Sequence, residues 1–73
     1  MTKPADQACP ACGRITLNTR GGCEVCSACG WQDDPESRAD PAVTSGLNGL
    51  SLNQARENVK RFDLAFPPSE AGV

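Results

Sequence analysis

The chain has 73 residues, a formal net charge of −2 and no histidine or tyrosine. A domain of this size buries little apolar surface, so it commonly depends on a metal, on disulfides or on a partner for stability. The acidic balance argues against a nucleic-acid-binding chain with a basic stripe, and no segment approaches the ~20 apolar residues that cross a bilayer.

The first eight residues (1–8) are polar and without periodic pattern, which predicts a flexible N-terminal tail. They contain no apolar signal region, so we expect a cytoplasmic protein whose thiols stay reduced. In that setting the cysteines of a Cys-x-x-Cys pair favour metal over a disulfide. A disulfide framework would also leave one of the five cysteines unpaired.

The first motif is Cys9-Pro10-Ala11-Cys12-Gly13. Two intervening residues allow both sulfurs to reach one ion from a tight turn. Pro10 restricts φ within the turn, and Gly13 can adopt the positive φ that follows it. This pattern predicts one half of a metal site, a metal-binding knuckle.

A short hairpin is predicted next. Ile15–Leu17 is β-branched and alternating, 18–22 has turn chemistry, and Cys23–Val25 would be the returning strand. Since a two-stranded ribbon is marginal in water, we expect the metal to hold its base together.

The second motif, Cys26-Ser27-Ala28-Cys29-Gly30, repeats the first after thirteen intervening residues. Two such pairs are typical of a tetrahedral four-thiolate site. The predicted ligands of one zinc ion are therefore Cys9, Cys12, Cys26 and Cys29. Four thiolates alone do not distinguish zinc from iron, so a rubredoxin-like iron electron carrier is the alternative.

Cys23 is the fifth cysteine, and with Cys26 it forms a further Cys-x-x-Cys pair. We prefer Cys26 and Cys29 as ligands because Gly30 follows them as Gly13 follows Cys12. Cys23 is then a small strand residue near the site, or a thiol that competes for metal or senses oxidation.

An aromatic and acidic stretch follows the second motif. Trp31, the only tryptophan, is expected to shield the metal and fill the core. Asp33 and Asp34 are expected to form a turn or cap before a proline. The predicted partner-binding residues are Trp31, Asp33, Asp34, Glu36 and Asp40.

A loop over 38–49 leads to one predicted C-terminal helix from about Leu52 to Phe62. Ser51 and Gln54 match a capping box. Leu52, Ala55, Val59 and Phe62 form one narrow apolar stripe, which we expect to pack on Trp31 and the hairpin. The remaining residues (63–73) are predicted to be a C-terminal tail.

The order of these motifs resembles the bacterial cysteine-rich CPCC domain, a zinc-ribbon-like family. The resemblance covers about Cys9 to Phe62, so 9–62 is the predicted domain. Two positions depart from the family pattern: Ala11 stands where the family has a third clustered cysteine, and Cys23 stands where an aromatic is usual. The matching residues are Cys9, Pro10, Cys12, Gly13, Cys26, Cys29, Trp31, Asp33, Asp34, Asn48, Gly49, Ser51, Leu52, Ala55, Arg56, Glu57 and Asn58.

The resemblance implies a zinc-binding domain without a defined activity. The predicted fold is a small metal-stabilised α+β domain with two Cys-x-x-Cys-Gly knuckles, a short β-hairpin and one C-terminal helix. We expect a protein-interaction module with a structural zinc and no enzyme activity, because four thiolates leave no open position for water. A toxin-neutralising immunity or antitoxin-type partner is one version. A weak nucleic-acid-binding zinc ribbon that uses Arg14, Arg20 and Trp31 is a further alternative.

Overall fold

Two short strands and two helices make up the regular structure of residues 4–67, the part of the chain that the computed structural model describes. They are β1 (Gln7–Ala8), β2 (Ile15–Leu17), α1 (Pro35–Ala39) and α2 (Leu52–Phe62). The small α+β class agrees with the prediction. Among the described residues, no helix has the length and apolar character that spanning a bilayer requires.

The two strands form an antiparallel pair that flanks the first cysteine motif. Gln7 lies opposite Leu17 and Ala8 opposite Ile15, with an irregularity in register between the two pairs. The predicted pairing of β2 with Cys23–Val25 is wrong. The turn at the first motif brings β1 against β2, while Cys23–Val25 pairs with the residues that follow the second motif: Cys23 N donates to Asp33 O at 3.0 Å, and Val25 bridges to Gln32.

Two residues that the sequence placed in the N-terminal tail, Gln7 and Ala8, therefore form the first strand. The loop over 18–22, which was predicted to form the hairpin turn, is stabilised by contacts with Glu24. The Glu24 carboxylate accepts hydrogen bonds from the backbone N–H groups of Asn18 and Thr19, at 2.9 and 2.7 Å. On β2, Ile15 is 57% exposed, while Leu17 is fully buried.

The second cysteine motif is flanked by paired backbone in the same way. Cys26 N donates to Trp31 O at 2.8 Å, and Asp33 N donates to Glu24 O at 2.7 Å. Val25 and Gln32 form an isolated antiparallel bridge. The chain thus makes two similar cysteine-bearing loops, each closed by its own flanking residues.

Helix α2 has the predicted bounds, and its predicted capping box is confirmed. Ser51 Oγ accepts from Gln54 N at 3.1 Å, and Gln54 Oε1 accepts from Ser51 N at 2.8 Å. Leu52 and Ala55 are buried, whereas Phe62 is 39% exposed. The apolar stripe therefore meets the core mainly through the first half of the helix.

The core is centred on Trp31, which is fully buried as predicted. Leu17, Leu52 and Ala55 share this cluster with three of the cysteines. Ala65, from the predicted C-terminal tail, also belongs to it, and its backbone N–H donates to Cys29 O at 2.9 Å. The predicted tails over 1–3 and 68–73 lie outside the described residues.

Candidate metal centre

Four cysteine sulfurs converge at one point in the core. The Sγ atoms of Cys9, Cys12, Cys26 and Cys29 all lie within 4.8 Å of one another. Cys9 Sγ lies 3.6 Å from Cys29 Sγ, and Cys12 Sγ lies 3.7 Å from Cys26 Sγ. A tetrahedral ion with metal–sulfur bonds of ~2.3 Å requires sulfurs about 3.8 Å apart. The arrangement therefore fits a metal ion, and the group is the predicted ligand set.

Each cysteine turn is closed by the glycine that follows it. Gly13 N donates to Cys9 O at 2.8 Å, and Gly30 N donates to Cys26 O at 2.9 Å. The two glycines have φ values of +81° and +87°. A side chain is disfavoured in this region, so the glycine after each pair has the role that the sequence predicted.

The sulfur of Cys26 accepts hydrogen bonds from a side-chain hydroxyl and from backbone N–H groups. Thr16 Oγ1 donates to it at 3.1 Å, and the N–H groups of Ala28 and Cys29 lie 3.4 Å away. Burial acts to raise the pKa of Cys26, but these donors outweigh it and lower the pKa to about 6. These donors favour the thiolate form of Cys26, which is the form that binds metal.

For the two other fully buried sulfurs, those of Cys9 and Cys29, burial outweighs the hydrogen-bond donors and the net pKa is raised. Burial raises the pKa of Cys9 above its usual value, despite N–H donors from Cys12 and Ala11. It also raises the pKa of Cys29, where the neighbouring Cys9 adds to the effect. A metal cation would supply the positive charge that these buried thiolates lack, since metal binding and thiol deprotonation are coupled.

Cys23 lies outside this group, at the surface. Its φ is +62°, a left-handed conformation that is uncommon for a residue with a side chain. Its backbone N–H donates to Asp33 O at 3.0 Å, which keeps it beside the second cysteine loop.

The acidic stretch after Trp31 is largely internal, which corrects its assignment to a partner-binding surface. Trp31 and Asp33 are fully buried, and Asp34 is 5% exposed. Asp34 caps α1 by accepting from Glu36 N at 2.9 Å, so the predicted cap is confirmed. Of the five predicted contact residues, only Glu36 and Asp40 are exposed.

Asp33 organises the part of the fold beside the metal centre. Arg38 Nε donates to Asp33 Oδ1 at 2.6 Å, and Arg38 Nη2 donates to Oδ2 at 3.1 Å. The N–H of Gly21 also donates to Oδ2, at 2.6 Å. A buried carboxylate needs such partners, because removing a charge from water is costly.

Asn48 holds the second cysteine loop from the other side, a role that the sequence analysis missed. Its Oδ1 accepts from Gln32 N at 2.9 Å, and its Nδ2 donates to Gln32 O at 3.0 Å. Nδ2 also donates to Ser45 Oγ at 2.9 Å, and Ser45 Oγ donates to Asp34 Oδ2 at 2.7 Å. The sequence feature that could have indicated this role is Asn48-Gly49, which matches the family pattern but had no structural role assigned to it.

Two arginines tie the C-terminal helix region to the first loop. Arg56 Nε donates to Pro10 O at 2.9 Å. Arg14 pairs with Asp63 through Nη2, at 2.9 and 3.1 Å to the two carboxylate oxygens. Of the three groups named for nucleic-acid contact, Trp31 is buried and cannot stack on a base, whereas Arg14 stays half exposed.

A comparison with known protein families matches residues 7–68 to the family described as "Cysteine-rich CPCC". A search of curated proteins finds no match. The matched segment contains all four clustered cysteines, both strands and both helices. It also includes Gln7, Ala8 and Ala65, which the sequence analysis assigned to tails.

Proposed function

Because the chain belongs to the cysteine-rich CPCC family, we propose that its four cysteines hold one zinc ion whose role is structural. The observation that carries this proposal is the convergence of four sulfurs within 4.8 Å of one another in a small core. Zinc favours tetrahedral thiolate sites, and structural sites of this kind use four protein ligands. A small zinc-stabilised module gains ~10 kcal/mol or more from the ion.

We expect no catalysis at this ion. Four thiolates would complete its coordination, so no position remains for water or substrate. Cys9, Cys26 and Cys29 are at most 2% exposed, which also limits approach from solvent. Function then belongs to the surface that the metal-bound core supports.

We further propose that this surface binds another protein. Support comes from an open groove of about 340 Å³ that is lined by apolar Pro35 and Leu47 and by the exposed Glu36. Leu47 is 49% exposed. A partly apolar groove with an exposed carboxylate, on a chain of net charge −2, suits a basic partner surface, so a toxin-neutralising immunity-type role is the concrete version.

Native mass spectrometry tests the metal assignment. We expect the purified chain to carry one zinc ion, and a chelator to remove it together with the far-ultraviolet circular dichroism of α2. A red protein with one iron would instead favour the rubredoxin-like alternative. A folded chain without bound metal would refute the site.

Affinity capture with matched variants tests the interaction. We expect one dominant protein to bind the wild type and Ile15→Asp but not Leu47→Asp, because both substitutions alter an exposed apolar residue and only the second lies in the groove. Equal capture by both variants would refute the groove. Steeply salt-dependent binding of RNA or DNA, with no protein captured, would favour the nucleic-acid alternative.

A further inference from the structure

We propose that Thr16 is a positioning residue of the metal centre, whose hydroxyl orients the Cys26 sulfur by a hydrogen bond and thereby strengthens the metal affinity. The inference rests on the proposed metal-binding function and deepens it. Its basis is the O–H donor at 3.1 Å from Cys26 Sγ, supplied by a strand that contributes no metal ligand.

The two cysteine loops are alike in their backbone but differ at this point. Cys26 is the first cysteine of its turn and lies 3.4 Å from the N–H groups two and three residues ahead. Cys9 is the first cysteine of the other turn and has the equivalent N–H donors from Ala11 and Cys12. Among the described residues, Thr16 is the side-chain hydroxyl that donates to a clustered sulfur, and Cys26 receives it.

The position of Thr16 in the fold keeps its hydroxyl aimed at Cys26. It is half-buried between exposed Ile15 and buried Leu17. Leu17 is buried in the core, and Ile15 and Leu17, the neighbours of Thr16, both lie opposite β1 residues. A rotation of the strand that moved Thr16 away from Cys26 would therefore expose Leu17. The first cysteine loop thus supplies an outer hydrogen bond to a ligand of the second loop.

A hydrogen bond to a thiolate disperses its negative charge. Four thiolates and a divalent cation carry a net charge of about −2, which a buried site must stabilise through such donors. Loss of an outer hydrogen bond to a ligand typically weakens metal affinity by about 10–100-fold. Thr16 is one of three hydrogen-bond donors to Cys26, which is one of four sulfurs. We therefore expect the loss of metal affinity to lie at the lower end of that range, roughly 10-fold.

The test uses two matched pairs of full-length chains. Thr16→Val replaces the hydroxyl of the wild type with a methyl group. Thr16→Ser keeps the hydroxyl, and Thr16→Ala removes it. Thr44→Val, at an exposed position, controls for loss of a threonine hydroxyl elsewhere. Zinc affinity is measured by competition with a chromogenic chelator, and Co²⁺ replaces zinc to report on the sulfurs.

We expect zinc affinity to fall roughly 10-fold from wild type to Thr16→Val and from Thr16→Ser to Thr16→Ala. The sulfur-to-cobalt charge-transfer band should move to longer wavelength in both hydroxyl-free variants, because a thiolate without the donor releases its electrons more easily. A merely structural role would leave that band unmoved. Should Thr16→Val fail to fold, the serine and alanine pair decides.

Equal affinities and equal bands within a pair would overturn the role of Thr16 while leaving the metal site intact. A wild-type chain that binds neither zinc nor cobalt would overturn the metal site itself, and the role of Thr16 with it. A loss of affinity in Thr44→Val as large as that in Thr16→Val would also contradict the inference.

Discussion

The buried ion pair between Asp33 and Arg38 offers the sharpest test of how this fold is stabilised. Asp33 is fully buried and the Arg38 side chain is 15% exposed. The substitution Asp33→Asn keeps the shape of the side chain and removes its charge. It also places an amide group with two N–H donors where a carboxylate now accepts three hydrogen bonds.

The expected cost follows from the burial of both partners. Removing one member of a buried pair costs ~3–5 kcal/mol, because the other charge stays buried without compensation. Arg38 retains some contact with water, so we expect the lower end, about 3 kcal/mol. For a domain of this size that corresponds to a fall in Tm of roughly 12–24 °C.

The same substitution at Asp63 is the matched control. Asp63 also pairs with an arginine through both carboxylate oxygens, but Arg14 and Asp63 are 50% and 69% exposed. Exposed pairs contribute less than about 1 kcal/mol. Asn also tolerates the left-handed φ of +60° at that position. Asp63→Asn should therefore change stability by less than ~1 kcal/mol.

Chemical denaturation in a zinc-buffered solution measures both variants. Free zinc must be held constant, because ligand that binds only the folded state contributes to the free energy of unfolding. Fluorescence of Trp31, the single tryptophan, reports on the core. A destabilisation of the two variants by equal amounts would refute the argument from burial.

Three further outcomes are expected. Serine at any one of the four clustered cysteines should unfold the domain, whereas Cys23→Ser should reduce its stability only slightly, as measured by circular dichroism during zinc titration. Retention of metal after loss of a clustered cysteine would contradict the ligand set. Asn48→Ala should cost about 2–3 kcal/mol against Asn53→Ala, since it leaves the N–H and C=O of Gln32 unpaired. Cys23→Gly should raise the free energy of unfolding by about 1 kcal/mol, because glycine adopts the φ of +62° without strain; lower stability in thermal unfolding would show that the thiol is needed.

Local patterns in the sequence were sufficient for several parts of the structure. The capping box over Ser51 and Gln54 predicted the start of α2, since it involves backbone groups three residues apart. Cys-x-x-Cys-Gly, present twice, predicted which four thiols converge. Trp31 could be placed in the core because a lone large aromatic has few other places in a small domain.

Strand pairing and the burial of charged side chains could not be predicted from local sequence patterns. Ile15–Leu17 was predicted to pair with Cys23–Val25, but it pairs with Gln7–Ala8 across the first cysteine turn, and Val25 bridges instead to Gln32 across the second. Asp33 and Asp34 looked like surface residues because carboxylates usually are. Their burial became possible only when the fold brought Arg38, Gly21 and Ser45 against them.

The sequence alone was therefore enough to predict the four cysteines that converge, the family and the capped helix, all of which depend on residue types at short, regular spacings. Tertiary structure alone decided the pairing of β1 with β2, the internal position of the acidic residues, and the contact of Thr16 with Cys26. These features join segments that are distant in sequence or compete for the same partners. Which of them form depends on the free energy of the whole packed core around the metal centre.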